Sequence, residues 1–157
     1  MAGRVEWVLL AYRLPREPST PRITVWRKLR RLGAAQIVDG LVALPLDART
    51  KEQMEWIAGE VTEAGGDATV WLGRVSTARA ERELASRMTA EITAEYKAVS
   101  DAAEGAHVED ETTRRRVSAR LRRQLRRIAL RDYFPSAERR RAQRAVEALA
   151  ELDLVTA

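Results

Sequence analysis

The densest chemistry in the sequence lies between residues 114 and 131. There Arg115, Arg116, Arg120, Arg122, Arg123, Arg126, Arg127 and Arg131 recur with no acid among them. At 3.6 residues per turn, Val117, Leu121, Leu125 and Ile128 gather into one narrow seam and the arginines take the remaining face. The planar guanidinium fork donates two parallel hydrogen bonds, a geometry that matches phosphate. Like charges three and four residues apart repel. The face therefore needs carboxylates from elsewhere in the chain or a polyanionic partner. Residues 76–111 carry a net −5 and residues 112–145 a net +11, so a helical hairpin would neutralise part of the face internally. Nucleic acid is the commonest external polyanion, each bound phosphate adding a salt-dependent increment to affinity. Both readings stay open at this level.

A second basic cluster, Arg27, Lys28, Arg30 and Arg31, lies on a predicted helix over residues 21–32. It reads either as an ordinary solvated face or as a further phosphate contact. The expected DNA-binding set is thus Arg115, Arg116, Arg120, Arg122, Arg123, Arg126 and Arg127, with Arg27, Lys28 and Arg31 as a secondary patch. Phosphate contacts position a protein and base-edge contacts specify sequence, so this set names no base-reading residue.

Catalytic constellations are poor. The chain has no Cys, which excludes disulfides, thiolate metal sites and thiol nucleophiles. The single His, His107, sits among acids in a predicted linker and reads as solvent-exposed. Gly65-Gly66 reads as a helix stop, because no phosphate-loop or dinucleotide fingerprint surrounds it. The expectation is no enzyme, no metal and no resident cofactor. Trp7, Trp26, Trp56 and Trp71 all fall on predicted strands or helices and read as core, with a base-stacking platform as the weaker alternative.

Those side chains must be positioned by 157 residues, 45% of them hydrophobic, enough for one domain or a small domain with an appendage. No apolar run approaches the ~20 residues of a membrane span, and the N-terminus lacks a signal-peptide pattern. The expectation is a cytoplasmic protein with no membrane partner.

Residues 5–14 read as a buried strand stopped by Pro15, and 15–20 as a loop. Residues 21–32 read as a helix with Thr20 as N-cap, Pro21 at its first position, and Ile23, Val25, Trp26, Leu29 and Leu32 on its apolar half. Gly33 ends it. Asp39-Gly40 joins strands 35–39 and 41–45 in a tight hairpin. A second helix over 48–64 presents Met54, Ile57, Ala58 and Val61, and 67–75 is a fourth strand. The order βαββαβ is that of ferredoxin-like domains and predicts an antiparallel sheet backed by two helices.

The fold class is therefore α+β: a ferredoxin-like domain over 1–75, then a helical region over 76–157. In the latter, a helix over 76–99 carries Leu84, Met88, Ile92 and Tyr96 as a seam for a neighbouring helix or a second copy of the chain. An acidic linker follows over 100–111. Then come a helix over 113–131 capped by Thr112 or Thr113, and a last helix over 136–152 capped by Ser136 with Ala142, Val146, Leu149 and Leu152 on one side.

Laid out in this way, Trp7–Pro15, Arg22–Ala34, Gly40–Pro45 and Gly65–Ala68 resemble the N-terminal region of chromate-resistance regulators of the ChrB family. Arg131-Asp132-Tyr133-Phe134-Pro135 after the Arg-rich helix, then Gln143 and Ala145, is similar to the basic helix and aromatic-aromatic-Pro stretch of those proteins. The resemblance implies a DNA-binding transcriptional regulator with double-stranded DNA as partner and an oxyanion such as chromate as effector; the seam of the helix over 76–99 adds a homodimer as an expectation of its own. Such regulators commonly continue into a C-terminal sensing domain; the expectation for this chain is a stand-alone relative or an N-terminal piece. Residues 1–75 also resemble the ferredoxin-like domain of phenylacetate-pathway repressors and of the small CRISPR integration subunit. The latter binds metal through an Asp near the end of the first strand. Ala11-Tyr12-Arg13 stands there instead, which argues against a metal-dependent nuclease.

Overall fold

Residues 4–155 of a computed structural model are described. Four strands, β1 (Trp7–Arg13), β2 (Ala35–Val38), β3 (Leu41–Pro45) and β4 (Asp67–Gly73), alternate with helices α1 (Thr20–Leu32) and α2 (Ala48–Glu63) in the expected βαββαβ order. They form one sheet in the order β2-β3-β1-β4. Every neighbouring pair is antiparallel. Each helical crossover therefore skips one strand, as in a ferredoxin-like domain.

Pleating decides which residues leave water. Val8 pairs with Leu44 and Leu72, and Leu10 with Val42 and Val70, so these share one face. Val8, Leu10, Val42 and Leu44 are buried, as are Val25 and Leu29 of α1 and Met54, Ile57 and Val61 of α2. On the opposite face Trp71 is left exposed, one residue out of phase with Val70. Only Trp7 fulfils the core expectation for the tryptophans: it is 1% exposed, whereas Trp26, Trp56 and Trp71 are all more than half exposed. On α1 the buried stripe is narrower than the sequence suggests, because Ile23 and Trp26 face outward.

Helix ends are set by local chemistry. Ser19 rather than Thr20 is the N-cap of α1, and it makes no side-chain capping bond. Gly33 closes the helix in the left-handed conformation. Asp47 caps α2 in a reciprocal box: its carboxylate accepts from the Thr50 N–H, and the Asp47 N–H donates to the Thr50 hydroxyl. The buried Thr50 hydroxyl also donates to the Pro45 carbonyl at 2.6 Å, tying α2 to the end of β3.

Helix α3 (Ala78–Gly105) corrects the sequence reading most. It continues through the stretch expected as a linker and passes into a 3₁₀ turn over Ala106–Val108. Val99, Ala103 and Ala106 extend the seam of Ile92 and Tyr96 at helical spacing and are buried. Small alanines among Asp101 and Glu104 disguised that periodicity. Helices α4 (Glu111–Ala129) and α5 (Ala137–Val155) follow. The chain divides into two compact units, one through Ser86 and one from Arg87. In the first, the Glu81 carboxylate accepts from the Val5 N–H and the Trp7 indole N–H and pairs with Arg4. The second is a three-helix bundle whose core joins Tyr96 and Val99 to Leu121 and Ile128 and to Ala142, Val146 and Leu149.

One glycine fixes the hairpin. Gly40 has φ +79°, and a Cβ there would lie 2.6 Å from the Tyr12 carbonyl oxygen. The Tyr12 N–H donates to the Gly40 carbonyl at 2.8 Å, so neither strand can retreat freely. Gly40→Ala is expected to cost about 1–3 kcal/mol, from left-handed strain plus the clash. Chemical denaturation followed by circular dichroism measures it; an unchanged midpoint would show that the hairpin yields.

Candidate nucleic-acid interface

Helix α4 is built by its two ends and its seam. At its start Asp110, not Thr112 or Thr113, is the N-cap. Its carboxylate accepts from the Thr113 N–H at 2.8 Å and from the Thr113 hydroxyl at 2.9 Å. These bonds hold the Asp110 carboxyl below its ordinary range. Along the helix, Leu121 and Ile128 are buried, and Val117 and Leu125 pack partly against the core. The other face is left to the arginines.

The far end is anchored to α3 by two polar residue pairs. Both nitrogens of the Arg131 fork donate to the two oxygens of Glu95, at 2.7 and 2.6 Å. The Tyr96 hydroxyl donates to Asp132 at 3.0 Å. The Asp132 side chain is only 3% exposed and lies 3.9 Å from the Arg139 guanidinium. Burial, then the hydrogen bond to Asp132, pushes the Tyr96 phenol up to about 12. A third tie lies at the opposite end of α4, where Arg114 pairs with Asp153 of α5 at 3.1 Å.

The helix expected to run to Arg131 ends at Ala129, so of the eight arginines singled out Arg131 falls in the turn after α4, where it is bound to Glu95, while Arg115 pairs with Glu111 of α4 itself. Arg116, Arg120, Arg122, Arg123, Arg126 and Arg127 are exposed, and among the described residues none has a carboxylate partner. Arg116, Arg120, Arg123 and Arg127 follow one another at helical spacing along a single stripe. Arg120, Arg123, Gln124, Arg127 and Arg131 line a hollow of about 420 Å³ beside Glu95. Such a surface, convex with a cationic hollow, can take phosphate oxygens in several places at once.

Residues 22–153 match the family described as Protein ChrB, N-terminal. The chain belongs to the ChrB N-terminal family. Protein ChrB of Cupriavidus metallidurans is 30% identical over 141 residues, covering 87% of this chain and 43% of that protein. The chain therefore spans less than half the length of the curated relative it matches. No solved structure matches it.

The other basic patch of this ChrB-family chain is only partly open. Arg27 and Arg31 of α1 are exposed, but Lys28 is engaged by Glu60 of α2 at 2.5 Å. Arg30 lies over the Trp26 ring, 5.7 Å from its centre. The sequence reading passed over Arg140 and Arg144 of α5, both exposed. The run Arg139-Arg140-Arg141 was their available signal. It also missed a cleft in the first unit lined by Tyr12, Arg16 and Arg22. These three flank the short β1–α1 connection, and what no spacing announced is that Gln36, Asp39 and Gly40 of the hairpin close the same cleft. Among the described residues no group of three or more His, Cys, Asp or Glu side chains is placed to hold a metal ion. No helix among them is long and apolar enough to cross a membrane.

The Tyr96–Asp132 bond gives a pH signature. Tyr96 is held neutral in the fold, its pKa raised from 10.0. Its contribution is fully present below about pH 10 and is lost as pH climbs from there towards 12. Tyr96→Phe takes the hydroxyl donor from a nearly buried carboxylate and leaves it Arg139 at 3.9 Å, which is expected to cost about 1–3 kcal/mol at pH 7. The stability gap between wild type and variant should narrow above pH 10. Denaturant midpoints at pH 7 to 11 test this; a constant gap would remove the bond's role in the alkaline transition.

Proposed function

We propose that this chain is a DNA-binding part of a transcriptional regulator of chromate resistance, cytoplasmic and without catalytic activity of its own. The reading rests on one observation above all: six neighbouring guanidiniums on α4 are exposed and have no carboxylate partner among the described residues. A face of that kind repels itself unless an anion of matching spacing is present. Duplex DNA presents one phosphate charge per about 1.7 Å of axis, dense enough for several of these side chains to be neutralised together. Arg116, Arg120, Arg122, Arg123, Arg126 and Arg127 are assigned to the phosphates, and Arg115 joins them only by leaving Glu111. Arg27 and Arg31 form a lesser patch, to which Lys28 contributes only by leaving Glu60.

Membership in the ChrB N-terminal family supports the regulatory reading. Chromate or a similar oxyanion is the effector that the family resemblance implies; the arginines here would bind any tetrahedral oxyanion alike, so selectivity belongs to other residues. The end of β1 carries Tyr12 and Arg13 where nuclease-like relatives of the fold carry an Asp, which favours a binding role over phosphodiester cleavage.

Labelled duplex DNA should be retarded by the protein at ~50 mM salt, with affinity falling steeply as salt rises. Replacing Arg120, Arg123, Arg126 and Arg127 by Gln should weaken binding and reduce the slope of log K against log salt by about 0.9 per lost contact. Because these side chains are exposed, the variant should keep the wild-type circular dichroism. No retardation at ~50 mM salt, or an unaltered slope in the variant, would overturn the assignment.

A further inference from the structure

The cleft in the first unit has an electrostatic layout unlike that of the α4 face. Its volume is about 850 Å³, within the range of small-ligand sites. The end of β1 supplies Tyr12 and Arg13, the loop supplies Arg16, α1 supplies Arg22 and Trp26, and the hairpin supplies Gln36 and Asp39. Arg13 is held by Asp67 at 3.0 Å, directly across the β1–β4 register. Arg16 and Arg22 have no carboxylate partner among the described residues. The cleft thus holds two uncommitted positive charges beside the first turn of α1. That turn lacks a side-chain cap, and Ser19, its N-cap residue, lines the cleft. Pro21 has no N–H and the Ile23 N–H donates to the Ser19 carbonyl, so the Thr20 and Arg22 N–H groups are the first-turn donors left to favour an anion in the same place.

The other walls suit something flat. Trp26 is 53% exposed and Ile23 46%. Both line the cleft, so apolar surface is held beside guanidinium groups where nothing in the first unit's core requires it. At the hairpin end, the Gln36 amide donates to the Asp39 carboxylate at 3.1 Å, orienting an acceptor. Tyr12 lies between the two ends. Its phenol is raised chiefly by burial, with Arg22 pulling it down and Asp39 pushing it up, so both charges are felt at its hydroxyl.

We propose that this cleft binds a nucleoside monophosphate, either free or as the 5′-terminal nucleotide of a nucleic-acid strand. The phosphate sits between Arg16, Arg22 and the start of α1; the base stacks on the face of Trp26 opposite the one that Arg30 covers. The phosphate monoester carries a charge of about −1.5 to −2 at pH 7, which two guanidiniums balance and which a triphosphate would exceed. Asp39 accepts from N–H groups on the base edge. Guanine offers two adjacent donors there and adenine does not, so guanine is the preferred base. This site is separate from the α4 assignment and does not rest on it.

The test is calorimetric titration of the full chain with GMP, AMP, guanosine and inorganic phosphate. GMP should bind saturably, with AMP, guanosine and phosphate each at least tenfold weaker. Arg22→Gln and Trp26→Leu should each weaken GMP at least tenfold while keeping the wild-type circular dichroism. The four-Gln variant of α4 should bind GMP as wild type does, so loss of DNA binding and loss of nucleotide binding are read separately. Competition by a short single strand with and without a 5′-phosphate identifies the source. A phosphate-dependent competitor stronger than GMP marks the strand terminus, and a weaker one marks the free nucleotide. No saturable GMP binding overturns the proposal, as does equal affinity for GMP and phosphate or undiminished binding in both single variants.

Discussion

Repulsion along α4 is the constraint to which the second unit answers. Like-charge pairs at three- and four-residue spacing cost an isolated helix about 0.2–0.5 kcal/mol each, and Arg116/Arg120, Arg120/Arg123, Arg122/Arg126 and Arg123/Arg127 are four such pairs. Against them stands the opposite side of the same helix. Full burial of a Leu or Ile side chain is worth about 1.5–3 kcal/mol, and Leu121 and Ile128 are both essentially inaccessible. Two such residues outweigh the repulsion. The bundle can therefore keep Arg116, Arg120, Arg122, Arg123, Arg126 and Arg127 without a carboxylate partner among the described residues, and the helix needs its partners α3 and α5 in order to exist as a helix.

That balance explains how the sequence could be read in parts. The βαββαβ order was legible because each element carries its own punctuation: Pro21 at a helix start, Gly33 at its end, Asp39-Gly40 at the hairpin. The bundle was less so. Residues 100–106 look like a linker by charge, yet Ala103 and Ala106 are buried. An alanine contributes little hydrophobic signal but fits where helices approach closely, so periodicity weighted by side-chain size stops at Tyr96 too early. The caps failed in the same local way. Asp110 and Ser19 each lie before the residues expected to cap; the Asp110 carboxylate meets the Thr113 N–H, whereas Ser19 holds its position by backbone alone.

The site was legible where it is a property of one helix and hidden where it is a property of the fold. Eight arginines of the expected helix can be placed on a wheel. Which of them are spent could not be, because Glu95 lies 36 residues from Arg131 and is brought to it by packing of α3. Lys28 is the same case on the first unit, neutralised by Glu60 across two helices. Tryptophan failed for a different reason. Its size makes it a core residue by default, but a small sheet with two helices cannot enclose four. The three left outside keep part of the surface apolar, Trp26 with Arg30 over its ring.

The turn after α4 shows what polar burial does for such a surface. Asp132 is nearly inaccessible and is held by Tyr96 and Arg139, while its neighbour Arg131 is clamped by Glu95. An apolar turn of similar volume would be no less stable, since burying charged groups repays its desolvation only when geometry is good. Directional bonds do something that apolar packing does not: they accept one register of α4 against α3. A slip by one residue would break the two-pronged Arg131–Glu95 contact and leave Asp132 unpaired. It would also rotate the arginine stripe by roughly 100° about the helix axis. The polar anchor thus sets the direction in which the unpaired guanidiniums point, and the apolar seam only determines that they point away from the core.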